Sequence, residues 1–193
     1  MKTFQDLQEG VYDPNILKAF FLAGGPGSGK SYVVKRGTGG LGLKIVNSDD
    51  VFEKYLKDAG LSMKMPKSEE EPRDKLRDKA KAVTKSRMTN YVEGRLGLII
   101  DGTGKEYDKI AKQATQLKQL GYDVHMIFVN TSLETALERN AKRERTVPRS
   151  IATKSWKTVQ SNMGKFSQYF RQNFIVVDNN DSDEDVMGPV YKQ

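Results

Sequence analysis

The segment that most restricts this chain is Gly24-Gly25-Pro26-Gly27-Ser28-Gly29-Lys30-Ser31. It satisfies G-x-x-x-x-G-K-[ST] and follows the apolar run Lys18 to Ala23 (KAFFLA), which reads as a buried strand. A strand, a glycine loop and a helix opening at Lys30 make a nest of backbone N–H groups for phosphate oxygens. Side chains in such a loop would block the approach, and glycine reaches the left-handed angles the nest needs. The helix adds the positive end of its dipole. Lys30 supplies a cation for the β and γ phosphates, and Ser31 a hydroxyl for Mg²⁺. The expected ligand is therefore a nucleoside triphosphate with Mg²⁺, held along Gly25, Pro26, Gly27, Ser28, Gly29, Lys30, Ser31 and Tyr32.

The rest of the chain repeats the alternation of strand and helix. Leu43 to Val46, Leu96 to Ile100, Val124 to Val129 and Phe174 to Val177 read as further buried strands. Between them, residues 106–120, 132–144 and 149–170 carry apolar residues at helical spacing. Ser132 is the expected N-cap of the second of these. This predicts an α/β protein: a three-layer P-loop NTPase fold with a five-stranded parallel sheet and an arginine-bearing lid. With 193 residues, one domain is expected, residues 1–193. Within it, 59–95 reads as a substrate-side insert, a mobile loop over 59–72 followed by a helix over 73–95. Residues 139–149 read as the lid and 179–193 as an acidic tail, while residues 1–16 are polar and expected to wrap the surface. The absence of cysteine excludes disulfides, thiolate metal sites and cysteine nucleophiles, and a single histidine, His125, argues against a histidine triad. No apolar run is long enough to span a bilayer and no leader is evident, so a cytoplasmic location is expected, with no membrane and no obligate protein partner.

Two carboxylate positions fall where the crevice of a parallel sheet is expected. Asn47-Ser48-Asp49-Asp50 ends the second strand. A kinase needs a carboxylate there to take the proton of the attacking hydroxyl. Asp49 is favoured, with Asp50 beside the substrate, and either aspartate is also placed to cap the following helix. Asp101 closes the third strand in Ile99-Ile100-Asp101-Gly102-Thr103-Gly104, where a Walker B aspartate holds Mg²⁺ directly or through water. It is alternatively placed to orient the substrate, with Thr103 near it.

From Arg139 to Arg171 the sequence has nine Lys/Arg and one acid, Glu144, so its net charge of +8 exceeds the +7 of the whole chain. Arg139 and Arg143 are four residues apart and share a helix face. Guanidinium groups suit bidentate phosphate contacts, and a late arginine segment ending at Pro148 fits a lid over the triphosphate. The charge also points to a nucleic-acid partner.

In order, GGPGSGKS, NSDD, IIDGTG and ERNAKRERTVP resemble the 5′-kinase domain of phage polynucleotide kinases and the wider group of zeta-toxin-like P-loop kinases, over about residues 18–178. The resemblance implies an ATP-dependent kinase. In it Lys30 and Ser31 serve the triphosphate and Mg²⁺, Asp49 is the general base, and Arg143 stabilises the transferred phosphate with Arg139 beside it. Asp101 falls on the acceptor side. The expected acceptor is a hydroxyl of nucleic acid, either a polynucleotide 5′ end or a modified base in DNA. The alternatives are a nucleotide or nucleotide-sugar acceptor, and an NTPase that uses water. Polynucleotide kinases carry an arginine three residues after the base, and this chain has Phe52 there. Phe52 is thus expected to stack on an acceptor base.

Overall fold

The computed structural model describes residues 16–37, 42–64 and 66–180. The expected surface wrap at 1–15 and the acidic tail beyond Asn180 lie outside the described residues. Five strands form one parallel sheet: β1 (Lys18–Ala23), β2 (Lys44–Val46), β3 (Leu98–Asp101), β4 (Asp123–Asn130) and β5 (Phe174–Asp178). Their spatial order is β2-β3-β1-β4-β5, so the strand feeding the glycine loop is central. Phe21 pairs with Ile100 on one side and Met126 on the other. The helices are α1 (Lys30–Gly37), α2 (Ser48–Asp58), α3 (Glu70–Glu93), α4 (Tyr107–Gln119), α5 (Leu133–Ala141) and α6 (Arg149–Phe170).

Alternation along the strands sends successive side chains to opposite faces, and both faces are covered over the central strands, with Ile45 and Val176 of the edge strands exposed. Ala19, Phe21, Leu98, Met126 and Phe128 pack with Leu117 of α4 and with Val159, Phe166 and Phe170 of α6. Leu22, Ile99, Ile127, Val129, Ile175 and Val177 pack under Val33 and Val34 of α1. A third cluster stands apart: Val51, Phe52 and Leu56 of α2 close on Leu76, Ala80 and Val83 of α3.

Three local expectations change. Helix α3 starts at Glu70, inside the stretch expected to be a mobile loop, after a 3-10 turn over Lys67–Glu69. Glu70 and Glu71 suit the positive end of a helix dipole, and Pro72 in the first turn costs no hydrogen bond there. Helix α5 stops at Ala141 rather than 144, leaving a loop up to Pro148. Ser132 does cap it, accepting from the Thr135 N–H at 3.1 Å. Neither aspartate caps α2. Asn47 does, its Oδ1 accepting from the Asp49 N–H at 2.8 Å. No helix among the described residues is long and apolar enough to cross a membrane.

Candidate active site

A parallel sheet brings the ends of its strands to one edge, and here that edge carries the glycine loop, Asn47 to Asp50, Asp101 and the arginines Arg139, Arg143 and Arg145. The glycine loop leaves β1 and turns into α1. Gly27 and Gly29 hold φ of 84° and 88°, where a side chain is strained. A Cβ on Gly27 would also strike the Ala136 carbonyl, and one on Gly29 the Asn179 side chain. Trp156 of α6 backs the loop at Gly25 and donates its indole N–H to the Thr131 carbonyl at 2.9 Å.

The loop encloses a pocket of about 150 Å³, with Arg139 and Arg143 on the opposing wall. Gly25, Gly27, Ser28, Gly29, Lys30 and Ser31 line it. Pro26 and Tyr32 do not. Tyr32 is 44% exposed, and its hydroxyl accepts from Arg36 at 2.9 Å.

Lys30 is folded back over its own loop. Its Nζ donates to the Gly24 carbonyl at 2.7 Å and the Gly25 carbonyl at 3.4 Å. Burial lowers its pKa, and Arg143 adds to that, while Asp101 and Asp49 act the other way. Asp101 mirrors it: burial pushes its carboxyl up, Asp50 and Asp49 add to this, and Lys30 and Arg143 oppose it. Lys30 and Asp101 therefore feel each other, Asp49 and Arg143, and Asp101 feels Asp50 as well. The Asn47 amide organises the acids. Its Nδ2 donates to Asp50 Oδ1 and to Asp101 Oδ2, both at 3.0 Å. Asp50 is raised by burial first and by Glu53 and Asp49 next. Asp101 and Thr103 also open onto a second cleft, between α3 and α4.

The arginine segment divides. Arg143 faces the phosphate pocket. Arg139 lines it too, but its guanidinium is held by backbone, donating to the Asn179 carbonyl at 2.6 Å and the Asn180 carbonyl at 3.2 Å. Asn179 in turn donates to the Ser28 carbonyl at 2.8 Å, which links α5, the end of β5 and the glycine loop. Arg145 turns away to α2. Its Nη2 lies 3.1 Å from Asp49 Oδ2, its Nη1 3.4 Å from Asp49 Oδ1, and its Nε 2.8 Å from Glu53 Oε1. The loop carrying it is closed at its base by Asn140, which donates to the Val147 carbonyl at 2.7 Å and accepts from the Val147 N–H at 3.2 Å.

Besides Pro26 and Tyr32, which do not line the pocket, a third expected residue lies away from the site. Phe52 is 1% exposed, packed between α2 and α3, with the Arg77 guanidinium 4.3 Å from its ring centroid. It has no face left for a base. Three others emerge only in the fold. Asn47 and Asn140 lie inside the motifs quoted above, where Asn-x-Asp-Asp and Arg-Asn-x-x-Arg were the available signals. Asn179 had none.

The oxygen donors at this edge, the Ser31 hydroxyl and the Asp101 carboxylate, suit a hard cation such as Mg²⁺. No group of three or more His, Cys, Asp or Glu among the described residues forms an all-protein metal cage. Mg²⁺ generally binds through one or two protein oxygens together with phosphates and water, so the donors fit it.

The likenesses to known proteins fit this edge. No curated protein matches the sequence. Among solved structures, the chain resembles a candidate kinase of Chloroflexus aurantiacus at a TM-score of 0.64 and 16% identity, over 91% of this chain and 95% of that one. It resembles the PezAT toxin-antitoxin structure of Streptococcus pneumoniae at 0.62 and 20%, over 84% and 68%. A third likeness is to the Pnkp1/Rnl/Hen1 RNA repair complex, at 0.59 and 19%, over 78% of this chain and 46% of that one. At these identities the likenesses show the fold alone. The family model for Zeta toxin matches residues 6–186, and the chain belongs to that family of P-loop kinases.

Proposed function

We propose that the chain transfers the γ-phosphoryl group of ATP to a hydroxyl on an acceptor. The observation that carries this is the shared field at the sheet edge. A phosphate pocket walled by Lys30, Arg139 and Arg143 lies within charge reach of Asp49 and Asp101. ATP places its phosphates against the loop N–H groups, and Lys30 exchanges the Gly24 carbonyl for phosphate oxygen. Ser31 and Asp101 would hold Mg²⁺, which would supply positive charge against the phosphates. Asp49 accepts the acceptor's proton as that oxygen bonds to the γ-phosphorus. The bond to the bridging oxygen breaks and ADP leaves, while Arg143 stabilises the charge on the group in flight. Arg145 holds both Asp49 oxygens before the acceptor arrives, so it must yield at least one of them.

Two observations favour a small-molecule acceptor over nucleic acid. Phe52 is buried, which removes the expected stacking platform. The basic stretch 139–171 is also not one surface: Arg139 and Arg143 face the phosphate pocket, and Arg145 pairs with Asp49 and Glu53. The test is label transfer from γ-labelled ATP to DNA, RNA, nucleosides, sugars and their phosphates, beside acceptor-free hydrolysis. An acceptor-dependent product supports the kinase. Hydrolysis that no acceptor alters would make the chain an NTPase.

A further inference from the structure

The three aspartates at the sheet edge are held differently. The Asn47 amide donates to Asp50 and to Asp101, at 3.0 Å each. Among the described residues the Asp49 carboxylate has one side-chain partner, Arg145, whose Nη2 and Nη1 lie 3.1 and 3.4 Å from its two oxygens. The Asp49 side chain is half in water, while that of Arg145 is 13% exposed. Nothing steric therefore keeps water from the base. What occupies both of its oxygens is the guanidinium. A proton taken up on either oxygen would neutralise the carboxylate and forfeit its attraction to the cation.

Arg145 also has a second carboxylate. Its Nε lies 2.8 Å from Glu53 Oε1, closer than either contact to Asp49. Glu53 follows Asp49 by four residues on α2, so the two acids share a face. The guanidinium can give up Asp49 and keep Glu53, and no charge is then stranded in a partly buried site. Asp50 feels the guanidinium too, but its Oδ1 is taken by Asn47. The backbone is pinned two residues further on, where Asn140 closes on Val147. Release of Asp49 is thus a turn of one side chain, with its loop left in place.

We infer that Arg145 and Glu53 form a gate that tells the acceptor hydroxyl from water. Without acceptor, Arg145 occupies Asp49, and the base takes no proton from water. The seated acceptor displaces the guanidinium from Asp49, and Glu53 retains it. Asp49 is then free only when a hydroxyl stands before it. Both gate residues are positioning residues, since they act through Asp49. This rests on the kinase reading above and adds how the reaction excludes water. With the gate open and no acceptor, the oxygen of water would bond to the γ-phosphorus and its proton would pass to Asp49. The bond to the bridging oxygen would break, releasing ADP and phosphate. Water and a hydroxyl differ little as nucleophiles, so the discrimination has to come from a step that only the acceptor triggers.

The test measures acceptor-free hydrolysis of ATP with Mg²⁺ by wild type, Arg145→Ala, Glu53→Gln, and Arg145→Ala combined with Asp49→Asn. Melting temperature and ATP KM are read on the same samples and should move little. Wild type should hydrolyse slowly. Arg145→Ala should raise hydrolysis about tenfold or more, part of what a freed general base supplies. Transfer to an acceptor should fall in the same variant, because the base is no longer aligned. Adding Asp49→Asn should return hydrolysis to the wild-type level or below. Glu53→Gln removes the charge that retains the displaced guanidinium. It should leave hydrolysis no higher than wild type and raise several-fold the KM of whichever nucleoside, sugar or sugar phosphate accepts label. A merely structural role would lower hydrolysis and transfer together. Hydrolysis unchanged or reduced in Arg145→Ala, or raised but insensitive to Asp49→Asn, would overturn the inference. So would Glu53→Gln hydrolysing like Arg145→Ala, since Glu53 would then only aim Arg145 at Asp49. The kinase reading fails on a different result, fast hydrolysis by wild type that no acceptor alters. Slow wild-type hydrolysis that stays slow in Arg145→Ala removes the gate and leaves the kinase.

Discussion

Arg145 presents its guanidinium to both carboxylate oxygens of Asp49, at 3.1 and 3.4 Å, and its Nε to Glu53 at 2.8 Å. One planar fork thus ties the loop after α5 to the first turns of α2. Lysine, a point charge, cannot bridge two carboxylates in this way. Arg145→Ala is expected to lower transfer about tenfold or more while leaving the ATP KM unchanged, since Arg145 does not line the phosphate pocket. Arg145→Lys should recover part of the rate. Arg143→Ala should instead reduce both kcat and ATP affinity. Steady-state kinetics with each substrate varied separates these outcomes, and a rise in ATP KM for Arg145→Ala would show that the residue serves the nucleotide. Stability should fall by only about 1 kcal/mol, because the acids it meets are half in water.

Lys30→Ala should cost roughly 10²-fold or more in kcat, the scale of removing one preorganised charge. The resting structure adds a second expectation. Lys30 lies half-buried in its own loop with its pKa lowered, so its charge is held at a cost in the ligand-free protein. Lys30→Met, which keeps the stem, should melt no lower than wild type without ligand and lose most of the stabilisation that ATP and Mg²⁺ give. Thermal unfolding with and without nucleotide measures both. A large drop in the ligand-free melting temperature would show that the contacts to Gly24 and Gly25 outweigh burial of the charge.

Asp101 makes a prediction about pH. Its folded-state pKa lies above the ordinary value of 3.8, mainly through burial. Between those two values the folded chain keeps a proton that the unfolded chain has released. Stability from this group is therefore lost as pH rises through the window, and the penalty is complete above it. Asp101→Asn cannot ionise and still offers an oxygen to Asn47. It should match wild type in acid, melt higher at neutral pH, and transfer phosphate poorly. A variant less stable at neutral pH would mean that Lys30 stabilises the carboxylate more than burial opposes it.

Phe52→Ala should act on stability and leave acceptor recognition alone. Emptying a fully buried aromatic site costs about 3–5 kcal/mol, here between α2 and α3 where the Arg77 contact is also lost. Urea unfolding should show the loss, while the acceptor KM of the folded fraction stays within about twofold, since no acceptor contact is removed. A raised KM with unchanged stability would return Phe52 to the substrate.

Asn140→Ala removes both partners of Val147 and leaves a half-buried N–H and C=O to find water. This costs about 1–3 kcal/mol. It should also loosen the loop that carries Arg143 and Arg145 and so lower kcat. Asn140→Asp keeps the acceptor for the Val147 N–H but sets a second acceptor against the Val147 carbonyl, and should rescue little. Denaturation and kinetics on the same samples check both.

How much of this was legible follows from the range over which each feature is decided. The glycine loop, the strands beside it and the Ser132 cap are specified within a few residues, and they stand where expected. Asp101 was legible because an apolar strand ending in an acid is a local pattern. Phe52 was not, because its side chain is claimed by Leu76, Ala80 and Val83 on a helix that begins eighteen residues later. The Asn47 cap was hidden by two better-known candidates beside it, Asp49 and Asp50. The division of labour among Arg139, Arg143 and Arg145 was illegible for a similar reason. Spacing says which residues share a helix, but α5 ends before Arg143 and Arg145, and their directions are set by the Asn140 closure.

The bond from Asn179 to the Ser28 carbonyl joins groups 151 residues apart in sequence. A ribosome adding about 5–20 residues per second needs roughly 8–30 s to deliver the second after the first. Until then the glycine loop lacks the brace that the end of β5 supplies and the anchor that Arg139 finds there. A nascent chain can therefore close most of its sheet before the pocket at the glycine loop has a finished wall, so that pocket is among the last features this fold completes during synthesis.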